Sequence, residues 1–291
     1  MKPLFMWAGG KTRMLKKYGD ILPESFDSYV EPFLGAGAMF VWAYRKNPEA
    51  TFVLNDYNES IMSIYKAVRD DIKPFLQRMN LLSSAYLPLD KTDRKVFYYA
   101  LRQEHAYDYE KWTDTEEAAA LYFLMKTGFN GIWQINKNTN GRFGTPSGLL
   151  NQKDKVYSKE NVMEWHTALQ NCTLMTGDFA HTLEKVVPGS YVFLDPPYRG
   201  SFTQYGVDFD DRMQSRVIDY LNKSTSKGAY TLMSNRDVGD GFFEERKGTN
   251  ELVYFDVTYT AGRRKKSKEG KYEAKKAKEI LLIGQKSTED A

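Results

Sequence analysis

The stretch Tyr191-Val192-Phe193-Leu194-Asp195-Pro196-Pro197-Tyr198 decides how the rest of the chain is interpreted. Its first half is apolar, aromatic and β-branched, which is typical of a strand buried on both faces. The two prolines after the acid supply no backbone N–H, so the loop that they form cannot continue a sheet ladder. Because ligands bind beyond the carboxyl ends of strands in open α/β sheets, this loop is a candidate ligand site.

Asp195, the Pro196 carbonyl and Tyr198 are suited to a flat ligand that carries an amine. The two oxygen acceptors can receive hydrogen bonds from the amine, and the tyrosine can stack on the ring that bears it. Ser234-Asn235, at the end of a later predicted strand, either shapes the same pocket or forms a plain strand-end turn. Asp195 to Tyr198 alone would also fit an ordinary turn capped by an acid, so the other motifs must decide.

The composition indicates an intracellular globular protein. The 291 residues are enough for one large domain or two modest ones, and 42% hydrophobic with 27% charged residues is ordinary. The single cysteine, Cys172, excludes an internal disulfide, and with only three histidines we expect no metal site. No stretch of 18 apolar residues occurs, so we expect a soluble, cytoplasmic protein without a membrane partner.

Basic charge is concentrated near the end of the chain. Between Arg263 and Lys278, nine Lys or Arg stand against two Glu, a local charge of +7, so the remainder of the chain sums to −4. Such clustering is typical of a surface that binds a polyanion. A solvated loop is the other interpretation of an isolated basic run.

A glycine turn followed by a strand and an acid predicts a site for an adenosine-type ligand. Ser28 to Phe33 reads as a strand, and Leu34-Gly35-Ala36-Gly37 permits a tight turn close to a ligand at a helix start. The next strand, Thr51 to Leu54, leads to Asp56, which is spaced to accept hydrogen bonds from ribose hydroxyls. Phe40 stands where a dinucleotide fingerprint needs a third glycine, so a nicotinamide site is disfavoured.

Residues 57–164 interrupt the alternation of strands and helices and predict an inserted module. Apolar spacing indicates several helices, one of them opened by the capping box Thr113 to Glu116. Phe129 to Asn136 reads as a strand, and with the returning residues up to Gly148 it predicts a hairpin-like tongue. The flanking parts, residues 1–56 and 165–291, form the other predicted domain.

The alternation resumes after the insertion and predicts an α/β fold. Further strands are expected at 173–176, 191–194, 230–233, 252–257 and 280–283, with helices at about 159–169 and 210–223. Together these elements describe a doubly wound, seven-stranded, Rossmann-like sheet that ends in an antiparallel pair.

The order of these motifs resembles the Dam-type, alpha-class DNA adenine-N6 methyltransferases over nearly the whole chain. The motifs are Trp7-Ala8-Gly9-Gly10-Lys11, Glu31 to Gly37, Asn55-Asp56, the insertion, Gly177-Asp178-Phe179 and Asp195 to Tyr198. The resemblance implies a Rossmann-like methyltransferase that moves a methyl group from S-adenosyl-L-methionine (AdoMet) to adenine N6 in double-stranded DNA, without a metal.

The resemblance also implies roles for individual residues. Trp7 and Lys11 would cover the AdoMet pocket, with Lys11 near the carboxylate of AdoMet. The turn with Phe33, Gly35 and Gly37 would face its amino acid part, Asp56 its ribose, and Asp178 with Phe179 its adenine. Asp195, Pro196, Pro197 and Tyr198 would form the catalytic loop that holds the flipped target base, and Asp195 would also border the cofactor.

The insertion would be the target-recognition domain. Its candidate DNA-contacting residues are Phe129, Asn130, Trp133, Gln134, Asn136 and Arg142, and the basic segment adds Arg263, Arg264, Lys265 and Lys266. The chain departs from the family pattern at Gln134, where the family has an arginine suited to guanine, and at Ser147 and Leu149-Leu150. Glutamine more naturally reads adenine. The target is therefore either GATC or a different or relaxed adenine context.

Other functions fit parts of the same pattern. Enzymes that methylate cytosine N4, RNA adenine or protein amides use related loops, in which an acid or an amide precedes Pro-Pro and an aromatic residue. A catalytically silent DNA-binding relative would also keep the basic segment. The sequence leaves open the oligomeric state, with a monomer favoured, and whether the protein serves a host, a phage or a restriction-modification system.

Overall fold

The computed structural model describes residues 1–7, 9–148, 151, 154–200, 209–259, 265–266, 272–273 and 275–284. Its α-helices are α1 Leu15–Tyr18, α2 Ala38–Lys46, α3 Glu59–Asp70, α4 Ile72–Tyr86, α5 Lys91–Tyr107, α6 Asp114–Thr127, α7 Lys159–Leu169, α8 Asp211–Ser226 and α9 Phe242–Arg246. Its strands are β1 Ser28–Glu31, β2 Thr51–Asp56, β3 Cys172–Thr176, β4 Ser190–Leu194, β5 Tyr230–Asp237, β6 Glu251–Tyr259, β7 Lys265–Lys266, β8 Tyr272–Glu273 and β9 Lys275–Ile283.

Seven of the strands form one mixed sheet in the order β3-β2-β1-β4-β5-β9-β6. The first five strands are parallel, and β9 runs antiparallel to both β5 and β6. Strands β7 and β8 pair separately. The predicted seven-stranded α/β sheet with an antiparallel end is therefore confirmed.

The register of the sheet brings the predicted site residues to one edge. Glu31 pairs with Leu54, and Val30 pairs with Val192. Phe33 and Asp56 each lie two residues beyond the pair Glu31 and Leu54. Counted from the pair Val30 and Val192, Phe33 and Asp195 each lie three residues further on. These three residues consequently follow neighbouring parallel strands at the same height, which is the edge where α/β sheets bind ligands.

The inserted region is helical as expected, and its capping box is present. The Thr113 hydroxyl accepts from the Glu116 N–H at 3.2 Å, and the Glu116 carboxylate accepts from the Thr113 N–H at 2.9 Å. This reciprocal pair satisfies two of the N–H groups that the first turn of α6 leaves free.

The strand predicted at Phe129 to Asn136 is wrong. A short 3-10 turn at Phe129–Gly131 replaces its first residues, and a second at Lys137–Thr139 follows its end. The tongue is closed by isolated bridges between Gly128 and Ser147 and between Ile135 and Phe143. Asn130 and Gly131 adopt φ values of 52° and 62°. Because this left-handed conformation turns the backbone, an extended strand cannot pass through these residues.

One hydrophobic core joins the inserted region to the sheet. Trp165 on α7 is completely buried, with ring centroids 5.2 Å from Phe40 on α2 and 5.3 Å from Tyr65 on α3. Tyr122 of α6 reaches the N-terminal segment, donating a hydrogen bond to the Leu4 carbonyl at 3.1 Å. Residues 57–164 are thus packed into the main core. Across the described ranges, no helix has the length and apolarity to cross a bilayer.

Candidate active site

Asp195 lies at the carboxyl end of β4 and carries two donors on one carboxylate oxygen. Its Oδ1 is 2.7 Å from Lys11 Nζ and accepts from the Ser234 hydroxyl at 2.7 Å. The side chain keeps 22% of its surface exposed. The carboxylate is therefore held in place, while part of it remains open to a ligand.

Lys11 packs onto the loop from Asp195 to Tyr198. It is 3% exposed, donates to the Gly9 carbonyl at 2.9 Å, and its Nζ lies 4.6 Å from the centre of the Tyr198 ring. The ammonium group consequently occupies both features proposed for an incoming amine, the Asp195 acceptor and the Tyr198 ring face. Its implied place near the AdoMet carboxylate stays a prediction.

Tyr198 is oriented by an acid on the penultimate strand of the main sheet. Its hydroxyl donates to Glu279 Oε2 at 3.2 Å, and Glu279 on β9 is 6% exposed. Burial, with the neighbouring Asp195, raises the pKa of Tyr198 well above its ordinary value, so the phenol stays neutral and remains a donor. An acid directly before the apolar run Ile280 to Ile283 was the sequence signal for Glu279.

The glycine turn after β1 forms a cradle beneath Trp7. Gly35 has φ 49° and donates its N–H to Asp56 Oδ2 at 2.8 Å, while Asp56 Oδ1 accepts from the Asn58 N–H at 2.9 Å. A Cβ at position 35 would lie 2.9 Å from Trp7 Nε1, so only glycine fits there. Burial raises the pKa of Asp56, with backbone N–H donors opposing the shift.

Gly37 has a packing role. A Cβ on this residue would stand 2.5 Å from the Trp165 ring, and its φ of 70° is left-handed. The absence of a side chain therefore lets α7 approach the start of α2. Its predicted contact with the amino acid part of AdoMet stays a prediction.

Asp178 and Phe179 follow β3, next to the acid of β2. Asp178 Oδ1 accepts from the Ala180 N–H at 2.9 Å, capping a 3-10 helix, and the carboxylate receives Arg216 Nη2 at 3.0 and 3.1 Å. Phe179 is 4% exposed and packs against Phe33, with 5.1 Å between the ring centroids. Arg216, which the sequence did not single out, thus fixes the acid after β3.

Two tongue residues are engaged within the protein. Trp133 is 9% exposed and packs against Trp7 and Phe143, with ring centroids 6.1 and 5.3 Å away. Arg142 forms an ion pair with Glu117 on α6, and its guanidinium lies 3.7 Å from the centre of the Tyr109 ring. In this conformation both side chains support the tongue.

Of the other tongue residues, Phe129 and Asn130 are open to solvent. Phe129 is 39% exposed, and Asn130 is exposed. The half-buried Gln134 uses its backbone carbonyl to accept the Gly144 N–H, and Asn136 Nδ2 donates to the Gly144 carbonyl at 3.2 Å. Arg263, Arg264 and Leu149-Leu150 lie outside the described residues, and for Lys265 and Lys266 only the backbone of β7 is described.

Residues 7–245 match the family of D12 class N6 adenine-specific DNA methyltransferases. The chain belongs to this family. It is 32% identical to the type II methyltransferase M.MjaIII of Methanocaldococcus jannaschii, with 86% of this chain and 89% of the relative covered. It is 29% identical to the retron Ec67 DNA adenine methylase of Escherichia coli, covering 81% and 78%.

A third relative of this methyltransferase is the DNA adenine methylase of Haemophilus influenzae, at 26% identity with 81% and 80% of the two chains covered. Among solved structures, a precorrin-6y C5,15-methyltransferase from Geobacter metallireducens has a TM-score of 0.42 at 10% identity over 98% of this chain and 100% of that one.

Proposed function

We propose that this methyltransferase transfers the methyl group of AdoMet to N6 of an adenine that is rotated out of double-stranded DNA. The observation that carries the proposal is the pairing of an anchored acceptor, Asp195, with an anchored ring, Tyr198, at the carboxyl end of β4. Neighbouring strands bring the Gly35 cradle and Asp56 to the same height.

The residues at this edge fit AdoMet. Because Gly35 carries no side chain, the Trp7 ring lies directly against the turn, so Trp7 would cover AdoMet at the point where its amino acid part meets the turn. AdoMet would be held by Trp7, Lys11, Phe33, Gly35, Gly37, Asp56, Asp178, Phe179 and Asp195. When bound, AdoMet supplies a methyl group that its sulfonium makes electrophilic.

The contribution of this chain is chiefly positioning. Asp195 and the Pro196 carbonyl accept hydrogen bonds from the two N6 hydrogens, which turns the nitrogen lone pair toward the methyl group. The carboxylate also stabilises the positive charge that grows on N6, and either Asp195 or water takes the proton. Because the Lys11 ammonium lies over the Tyr198 ring, it moves aside, toward the implied AdoMet carboxylate, as the base stacks there, while the exposed part of the Asp195 carboxylate accepts from the amine.

The target atom is inaccessible within the duplex, so the base must leave the stack. Stacking on Tyr198 returns roughly 1–3 kcal/mol of the interaction that the base loses. Phe129 and Asn130 on the tongue are available to the duplex, and the basic segment from Arg263 to Lys278 would contact phosphates.

The context of the target adenine is proposed to differ from that of family members with arginine at the Gln134 position. A glutamine side chain pairs with adenine through its amide, whereas arginine pairs with guanine. Gln134 therefore supports either a different or a relaxed context, with GATC as the competing hypothesis.

Duplex oligonucleotides with every base flanking one adenine test the proposal. We expect N6-methyladenine after incubation with AdoMet and digestion to nucleosides. Methylation of cytosine N4, or transfer to RNA but not to duplex DNA, would contradict it. Transfer restricted to GATC would refute the relaxed context while leaving the reaction intact.

A further inference from the structure

Two amide side chains that are completely buried lie directly behind the catalytic loop. Gln214 on α8 and Asn235 on β5 both have 0% exposure. Asn235 Nδ2 donates to Gln214 Oε1 at 2.8 Å, and Gln214 Nε2 donates to the Pro197 carbonyl at 2.7 Å. Asn235 Oδ1 in turn accepts from the Arg199 N–H at 3.1 Å. We call these two side chains the amide relay.

The hydrogen-bond network fixes the orientation of both amides. Asn235 Oδ1 faces two backbone donors, the N–H groups of Arg199 and Arg236, so the oxygen must stand there. The nitrogen of Asn235 then has to donate to Gln214, and Gln214 has only its nitrogen left for the Pro197 carbonyl. The relay therefore has one direction, with no alternative that keeps every group satisfied.

The relay is hydrogen-bonded to the catalytic loop on both sides of Tyr198. The Pro197 carbonyl precedes this residue and the Arg199 N–H follows it. Pro196 and Pro197 have no backbone N–H, so these two residues cannot anchor the loop by donating hydrogen bonds. The Arg199 side chain adds a second anchor at the same end, since its guanidinium pairs with Asp211 and Asp240.

We propose that Gln214 and Asn235 are positioning residues that set the Pro196 carbonyl and the Tyr198 ring for methyl transfer. The inference rests on the proposed function, because it concerns the same loop. Neither side chain needs to touch the base or the cofactor. They act by fixing the peptide groups that flank Tyr198, and a shift of about 1 Å in such a group can cost 10²-fold in rate.

Gln214→Met tests the relay, because methionine has a similar shape but cannot donate to the Pro197 carbonyl. We expect the single-turnover rate with saturating AdoMet and duplex DNA to fall about 10²-fold. The dissociation constants for AdoMet and DNA should stay unchanged. If Gln214 only fills space, Gln214→Met should change the free energy of unfolding but should not lower the transfer rate at unchanged dissociation constants.

Asn222→Met is the matched control. Asn222 lies further along α8 and accepts a hydrogen bond from the Asn250 side chain at 2.7 Å, away from the catalytic loop. This variant removes an amide bond from the same helix, and we expect it to transfer at the wild-type rate.

Gln214→Glu covers the case in which Gln214→Met does not fold. A protonated glutamic acid can donate to the Pro197 carbonyl and accept from Asn235, as the amide does, whereas the carboxylate would repel that carbonyl. We expect the rate relative to wild type to be restored at low pH and to fall as pH rises. A rate reduced equally at every pH would overturn the relay.

If folded Gln214→Met transfers methyl groups at the wild-type rate, the relay is overturned and the proposed function still stands. If the wild-type chain transfers no methyl group to DNA at all, the proposed function fails, and the relay fails with it.

Discussion

Glu31, at the end of β1, is an acid held inside the protein next to the site. It is 2% exposed and accepts a hydrogen bond from the Tyr29 hydroxyl at 2.8 Å. Burial raises its pKa well above the ordinary 4.5, and the nearby Asp195 and Asp56 carboxylates raise it further, against the Tyr29 hydrogen bond. Glu31 is therefore protonated at pH values where a free glutamate is ionised.

This raised pKa predicts a pH dependence of stability. The contribution of Glu31 is fully present below the unfolded-state pKa of about 4.5 and is lost as pH rises through the folded-state pKa, because the unfolded state ionises first. Glu31→Gln keeps an acceptor for Tyr29 but does not titrate. Denaturant unfolding should show the variant gaining stability relative to wild type between pH 5 and pH 8. An equal difference at both pH values would contradict this account.

Lys11 provides a second prediction for a single residue. If its ammonium holds the AdoMet carboxylate, Lys11→Met should weaken AdoMet binding about tenfold or more, since hydrogen bonds to charged groups contribute about 1.5–3 kcal/mol. Calorimetric titration with AdoMet measures the effect. Lys16→Met, an exposed lysine on α1, is the control, and an unchanged dissociation constant for Lys11→Met would reject the role.

The tongue is an element whose position depends on its supports. Arg142 is tied to Glu117 of α6, and Tyr98 and Arg102 of α5 donate to the Thr145 carbonyl at 2.9 and 3.1 Å. Because the tongue lacks a regular strand ladder, these contacts from α5 and α6 set where Gln134 and Phe129 stand. Base selectivity should therefore depend on residues that never reach DNA.

Glu117→Gln tests that dependence. Loss of the charged partner should loosen Arg142 and lower the preference for the best adenine context by roughly tenfold, the effect of about 1.4 kcal/mol. Competition between preferred and altered duplexes measures the preference. Asp108→Asn, which breaks the exposed pair with Lys111 in the same region, should leave it unchanged. Equal selectivity in both variants would exclude the support role.

At the scale of the whole molecule, the insertion and the sheet share one core. Trp165 joins α2, α3 and α7, and Tyr122 joins α6 to the N-terminal segment. We expect thermal unfolding in a single transition, with tryptophan fluorescence and far-ultraviolet circular dichroism changing together. Two separated transitions would indicate that residues 57–164 unfold as an independent domain.

Much of the fold was predictable because its signals are local. Buried strands, strand-end acids and the capping box at Thr113 depend on nearby residues, and the sheet follows from their order. The tongue was mispredicted because Asn130 can adopt a left-handed backbone that apolar alternation does not reveal. The contacts of Lys11 with Asp195, and of Arg142 with Glu117, join distant positions, so spacing along the chain carries no signal for them.

The central claim is that Asp195 at the end of β4 directs methyl transfer to adenine. Its most direct test compares N6-methyladenine in DNA from cells that express the wild-type chain, Asp195→Ala, or the exposed-surface control Asp219→Ala. We predict N6-methyladenine with the wild type and the control, and none with Asp195→Ala, although that variant should still bind DNA. Methylation that persists in Asp195→Ala would contradict the account.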